Sequence, residues 1–168
     1  MVKHRVIRSA LTSFLSGWCL LACAGVSAQP DPRALTIRTS NGVQAFCYSP
    51  DGTSFAYSHF EGLTVEIKSA GGMKISTLRG NRGRVHALAF SPDGRTLATG
   101  GLGAPLCLWD VTTGKVRVEL AERTDFVADL VFCPDGKALA VAHTHRDEGL
   151  KKITIWDLDT RKALPPWT

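Results

Sequence analysis

Ser49-Pro50-Asp51-Gly52 returns as Ser91-Pro92-Asp93-Gly94 and again as Cys133-Pro134-Asp135-Gly136, each time 42 residues further on. A fixed period of about 40–45 residues marks a supersecondary unit that cannot bury its apolar face alone and must stack on copies of itself. Proline presets φ at the second position of a type I turn, aspartate hydrogen-bonds locally and glycine tolerates the exit geometry. The chain must therefore fold as a short array of hairpin-based units.

The period extends beyond the turn. Val43, Val85 and Val127 each open an apolar run seven residues before the proline, reading VQAFCY, VHALAF and VADLVF. Both faces of these runs carry apolar groups, with Val85, Ala87 and Ala89 on one side and the bulkier Leu88 and Phe90 on the other. That pattern predicts strands packed between two layers. Second strands are expected over 53–58, 95–99 and 137–142. Third strands alternate and end in Trp-Asp twice, at Leu106-Cys107-Leu108-Trp109-Asp110 and Ile153-Thr154-Ile155-Trp156-Asp157. Thr113-Gly114-Lys115 and Asp159-Thr160-Arg161-Lys162 then turn into fourth strands at 116–120 and Ala163-Leu164.

A 42-residue period, Ser-Pro-Asp-Gly turns and terminal Trp-Asp together resemble the WD-repeat family of β-propellers, over roughly residues 34 to 166. The resemblance implies an all-β fold of about three four-stranded antiparallel blades, as an incomplete or assembled ring. The expected organisation is a signal peptide at 1–28 and an extended segment at 29–42. Repeats follow at 43–84, 85–126 and 127–168, the first degenerate and the third carrying an insertion. In the first repeat Val65 and Ile67 keep the alternation, but Lys68-Ser69 stand where Trp-Asp would be, with the alignment open by one residue. The family's Gly-His before each first strand is replaced by Gly80-Asn81 and Glu122-Arg123. The family's buried network of His, Ser or Thr, Trp and Asp is therefore expected to be incomplete, and the blades looser.

Lys3-His4-Arg5 and Arg8, the apolar stretch 10–24 and Val26-Ser27-Ala28 have the three parts of an export leader. The expected location is periplasmic or secreted, in a bacterial-type protein. Leu20-Leu21-Ala22-Cys23 resembles a lipobox, so a membrane-anchored lipoprotein through Cys23 is the alternative. Lys3, Arg5 and Arg8 have no acidic neighbour in the leader, and without them the formal charge falls from +5 to +2. No basic stripe with interleaved aromatics occurs, and a nucleic-acid role is not expected. Beyond the leader, Cys47, Cys107 and Cys133 are an odd set without disulfide-framework spacing, and they read as packing residues.

No Gly-x-Ser-x-Gly elbow, P-loop or dinucleotide glycine run is present, and no catalytic residue or cofactor is assigned. His143 and His145 would share one face of a continuing strand beside Asp147-Glu148, but a strand end followed by a solvated loop is the preferred reading over a metal site. Trp109 to Trp156 is 47 residues, which puts five extra residues in the segment 144–151. In the family, connections between second and third strands share the partner-facing side with those entering the first strands. Arg82, Arg84 and His86 with His145, Arg146, Asp147 and Glu148 are accordingly expected to form a polar surface for a protein or peptide partner. The expected function is a non-catalytic interaction scaffold. An exported propeller enzyme or sensor, with its chemistry in further blades or a partner domain, is the alternative.

Three blades leave outer faces and edges uncovered. Leu35-Thr36-Ile37 could supply an outer strand to a neighbouring blade. A longer reading frame, a ring closed by copies of this chain and an open three-blade module are the competing explanations, in that order of preference.

Overall fold

A computed structural model describes residues 42–60, 63–121, 126–144 and 151–165. These form twelve strands in three sheets. The first holds β1 (Val43–Tyr48), β2 (Ser54–His59), β3 (Val65–Ser69) and β4 (Lys74–Leu78). The second holds β5 (Arg84–Phe90), β6 (Thr96–Leu102), β7 (Leu106–Asp110) and β8 (Val116–Ala121). The third holds β9 (Phe126–Phe132), β10 (Ala138–Thr144), β11 (Lys151–Asp157) and β12 (Lys162–Ala163). Each sheet is an antiparallel meander in chain order. The chain is all-β, with the three four-stranded sheets expected of propeller blades. The leader at 1–28, Cys23 and Leu35-Thr36-Ile37 lie outside the described residues.

The repeated tetrapeptide closes the first hairpin of each sheet. Gly52, Gly94 and Gly136 take φ of +70°, +69° and +73°, the left-handed region that favours glycine, and each donates its N–H to the carbonyl three residues back at 2.9 Å. Ser49 Oγ lies 2.6 Å from Asp51 Oδ1 and accepts from the Ser54 N–H at 2.9 Å. Ser91 repeats both contacts with Asp93 and Thr96. In the third turn Asp135 accepts the Lys137 N–H at 3.0 Å, with Cys133 where the other turns have serine.

The Trp-Asp aspartates organise the other hairpin at this end of each sheet. Asp110 Oδ1 accepts the N–H and hydroxyl of Thr113 at 2.8 and 2.9 Å, and Asp157 does the same with Thr160 at 2.7 and 2.9 Å. The strand register removes the one-residue ambiguity in the first sheet. Phe55 pairs with Lys68 as Leu97 pairs with Trp109 and Leu139 with Trp156, so Lys68-Ser69 do occupy the Trp-Asp positions. Ser69 Oγ keeps part of the aspartate's role by accepting the Met73 N–H at 3.1 Å.

Two apolar layers lie between the sheets. The first joins Ala56, Val65, Ile67 and Leu78 to Val85, Leu88, Phe90, Leu97, Cys107 and Trp109. In the second, Ala87, Ala89, Ala98, Leu106 and Leu108 meet Val127, Leu130, Phe132, Leu139 and Val141. The second sheet is thus covered on both faces. One sequence expectation is corrected here: Val85 sides with Leu88 and Phe90, not with Ala87 and Ala89. The register shifts between Val85 and Ala87, so a bulge at His86 reverses the alternation. Gly101 lies against this bulge, where a Cβ would fall 1.7 Å from the Arg84 carbonyl oxygen. Burial raises the Cys47 thiol to about 12 and the Cys107 thiol to about 11, which keeps both protonated within the packing.

The turn aspartates give the fold an acid limit. Hydrogen bonds from Ser49 and from the Thr53 backbone and hydroxyl hold Asp51 at about 2, against an ordinary 3.8. Asp93, Asp110 and Asp157 are lowered by the matching contacts, with Arg117 the leading cause at Asp110. A depressed carboxylate stabilises the fold above its unfolded pKa, and that contribution is lost as pH falls through the folded value. Thermal midpoints should therefore drop as pH falls from the ordinary carboxylate value towards 2, with a shallower drop in Asp51→Asn. Calorimetry across that range checks this, and an unchanged slope in the variant would count against the turn's role.

Candidate protein-interaction surface

Antiparallel pairing sends the tetrapeptide turns to one end of the sheets and the β4–β5, β6–β7 and β10–β11 connections to the other. Arg82, Arg84 and His86 belong to this second end. Arg84 opens β5 opposite Leu102 and is exposed. His86, at the bulge, is half-buried, with its ring centroid 4.8 Å from that of Phe126 on the next sheet. Its Nε2 is enclosed without a hydrogen-bond partner among the described residues. Burial, assisted by the Arg84 charge, lowers its pKa below the ordinary histidine value. Arg84 and His86 therefore form a compact pair at the junction of the second and third sheets. Arg82 is directed elsewhere, to an ion pair with Glu119 on the outer strand β8.

His145, Arg146, Asp147 and Glu148 lie outside the described residues, so their place beside Arg84 is not defined. The strands that carry them are described. Thr144 pairs with Lys151 and His143 with Lys152, which extends the β10–β11 ladder beyond the point where the β6–β7 ladder stops, at Thr99 and Cys107. Part of the insertion thus lengthens a hairpin on this end. Among the described residues, no group of three or more His, Cys, Asp or Glu side chains could hold a metal ion.

A residue that sequence reasoning treated as a defect braces this end. Asn81, where the resemblance leads one to expect histidine, is buried and donates from Nδ2 to the Leu63 carbonyl of the first sheet at 3.0 Å. Its Oδ1 accepts from the Thr99 hydroxyl over a long 3.4 Å, and Thr99 Oγ1 accepts the Trp109 indole N–H at 2.8 Å. The network of the second sheet is incomplete as expected, with no histidine or aspartate in this chain of contacts, but it is not broken. Asparagine offers a donor and an acceptor from one amide, so the chain of contacts runs unbroken from Trp109 through Thr99 and Asn81 to the neighbouring sheet. The other sheets differ: the position paired like Thr99 is Tyr57 in the first and Val141 in the third. Glu122 and Arg123 lie outside the described residues.

At the opposite end, Ser91, Asp93, Thr96, Arg117, Phe132 and Asp135 border a cleft of about 350 Å³ between the second and third sheets. Its charges are internally engaged. Arg117 Nε donates to Asp110 at 3.1 Å and Nη1 to Thr96 at 3.1 Å, while Asp93 binds Ser91 and the Arg95 N–H. This end serves turn formation.

Comparison with known proteins falls on the same segment. Residues 72–110 match the family model described as WD domain, G-beta repeat, spanning β4 of the first sheet and β5 to β7 of the second. Relatives by sequence include proteins named as WD-repeat proteins and as parts of larger assemblies. WD repeat and SOCS box-containing protein 1 of Danio rerio is 41% identical over 73 residues, which is 44% of this chain and 16% of the relative. Small ribosomal subunit protein RACK1z of Arabidopsis thaliana is 37% identical over 89 residues, 53% of this chain and 25% of the relative. Eukaryotic translation initiation factor 3 subunit I of Phaeosphaeria nodorum is 32% identical over 95 residues, 56% of this chain and 28% of the relative. The chain thus spans between about a sixth and somewhat over a quarter of these relatives. All three are eukaryotic, which lends nothing to the bacterial-type origin expected from the leader.

Thr99→Val should lower unfolding free energy by about 1–3 kcal/mol, because it strands the buried Trp109 indole N–H and the Asn81 amide oxygen. Urea unfolding followed by tryptophan fluorescence measures it. A loss near zero would mean that the network carries no stability.

Proposed function

We propose that this chain is a non-catalytic interaction module whose β4–β5, β6–β7 and β10–β11 end receives a protein or peptide partner. The observation that carries this reading is the exposed Arg84 beside the half-buried His86 and Phe126, on a scaffold braced by Asn81 and next to a lengthened β10–β11 hairpin. A cationic group next to an aromatic ring pair suits a partner segment with an acidic and an aromatic or aliphatic side chain. Two of the three relatives are by name subunits of larger assemblies, which supports a role through protein contacts. In this reading the protein works outside the cytoplasm, as a soluble exported chain or as a lipid-anchored one through Cys23; the leader pattern at 1–28 is what supports that location.

Once a partner is isolated with the wild-type chain, calorimetry on Arg84→Glu and on a deletion of 146–150 tests the surface. Each should weaken binding about tenfold or more, as expected for a contact at an interface centre. Arg117→Glu at the other end should leave binding unchanged. Wild-type affinity in both of the first two variants would contradict the reading.

A further inference from the structure

The two interfaces inside the chain are built from the same positions. In each, a face of mostly larger side chains, the large face, meets a face on which alanines are mixed with Val, Ile or Leu, the small face. Val85, Leu88, Phe90 and Leu97 of the second sheet pack on Ala56, Val65 and Ile67 of the first. Val127, Leu130, Phe132 and Leu139 of the third pack on Ala87, Ala89, Ala98, Leu106 and Leu108 of the second.

Strand register shows that each half of this interface occurs once more, uncovered. The first sheet's large face is Val43, Phe46, Tyr48 and Phe55; Phe55 is already buried, and the β1 residues are the exposed part. Val43, Phe46 and Tyr48 are 50%, 51% and 60% exposed, whereas their counterparts Val85, Leu88 and Phe90 are 1%, 8% and 8% exposed. Phe46, Tyr48, Phe55 and Tyr57 pack on one another across β1 and β2, mostly edge-on or tilted, with centroids 5.0–6.2 Å apart, so this face is already ordered. On the third sheet, the positions of Ala89, Ala98, Gly100, Leu106 and Leu108 hold Val131, Ala140, Ala142, Ile153 and Ile155. Ile153 is 69% exposed where Leu106 is fully buried, and Val131 is 57% exposed where Ala89 is 9%.

We propose that a second copy of this chain covers these faces, the third sheet of each copy docking on the first sheet of the other, so that two copies close head to tail into a six-bladed ring. A heterologous contact closes when its rotation returns to the start, and six blades fall within the range of about 4–8 that propellers use. A second copy is the occupant because each chain carries both halves of the interface at matching registers, in continuity with two interfaces already formed.

The tightest point of the packing supports the match. A Cβ on Gly100 would lie 3.0 Å from Val127, yet the first interface accommodates Ser58 there, whose hydroxyl donates to the Val85 carbonyl at 2.9 Å. The third sheet presents Ala142, smaller than Ser58, to the Val43 of the other copy. Charge on the large face is already compensated: Glu66 accepts from the Tyr57 hydroxyl at 2.6 Å and pairs with Lys68 at 3.3 Å. Asp129, at the position of Ala87 on the small face, lies on the edge strand β9 and accepts its neighbour Leu130's N–H at 2.8 Å. The pairing uses none of the loop residues of the interaction surface.

Light scattering on the full chain tests this. The wild type should show twice the 18.1 kDa of one chain. Ile153→Glu and Phe46→Glu, both at exposed side chains, should each give the single-chain mass with unchanged far-ultraviolet circular dichroism, weakening association by roughly 100-fold or more. An equimolar mixture of the two variants should recover a two-chain particle, because one wild-type pair of faces remains; contacts between like faces would not behave so. If either variant loses its sheet signal, Val131→Glu or Tyr48→Glu takes its place. A wild type that stays at single-chain mass overturns the proposal and leaves the faces to further blades of a longer chain. Association that survives both substitutions, including association through the leader, overturns it too, as does a mixture that remains single.

Discussion

Everything in this structure depends on one packing relation, a face of mostly larger side chains set against a face where alanines alternate with larger aliphatic residues across neighbouring sheets. Alanines 87, 89 and 98 leave the room that Leu130, Phe132 and Leu139 fill, and Ala56 does the same for Leu88 and Leu97. A four-stranded sheet of five- to seven-residue strands has too little core to stand alone. The second sheet, covered on both faces, is the centre of stability. The tetrapeptide turns and Trp-Asp hairpins fix the register that keeps large and small residues on their proper sides.

Polar contacts add direction to this apolar contact. Ser58 donates to the Val85 carbonyl, Ser76 to the Val111 carbonyl at 2.5 Å, and Asn81 to the Leu63 carbonyl, so three hydrogen bonds tie the first sheet to the second. Packing alone tolerates sliding, whereas buried polar groups must find their partners. The Ser58 bond to the Val85 carbonyl also anchors the start of β5, between Arg84 and His86, against the first sheet.

Much of this was legible in the sequence because it is periodic. Turn position and strand order follow from counting residues between prolines, whereas the equivalence of Lys68-Ser69 with Trp-Asp stayed open by one residue until strand pairing fixed it. The bulge at His86 was not, because it breaks alternation by a single residue and its partner, Gly101, is distant in sequence. Asn81 was legible only as a departure from the family's histidine. Its capacity to bridge Thr99 and Leu63 depends on where the first sheet places a carbonyl, which no local pattern encodes. Of the proposed surface, Arg84 and His86 were placed together by strand position, while Arg82 was drawn away by Glu119, a residue 37 positions on.

Native-state hydrogen exchange, followed by amide at dilution, measures the central relation most directly. The packing account predicts that β6, in the sheet covered on both faces, exchanges slowest and near the rate of global unfolding, with β1 and β12 opening at markedly lower free energy. Equal protection across the three sheets, or slowest exchange in an outer sheet, would contradict it.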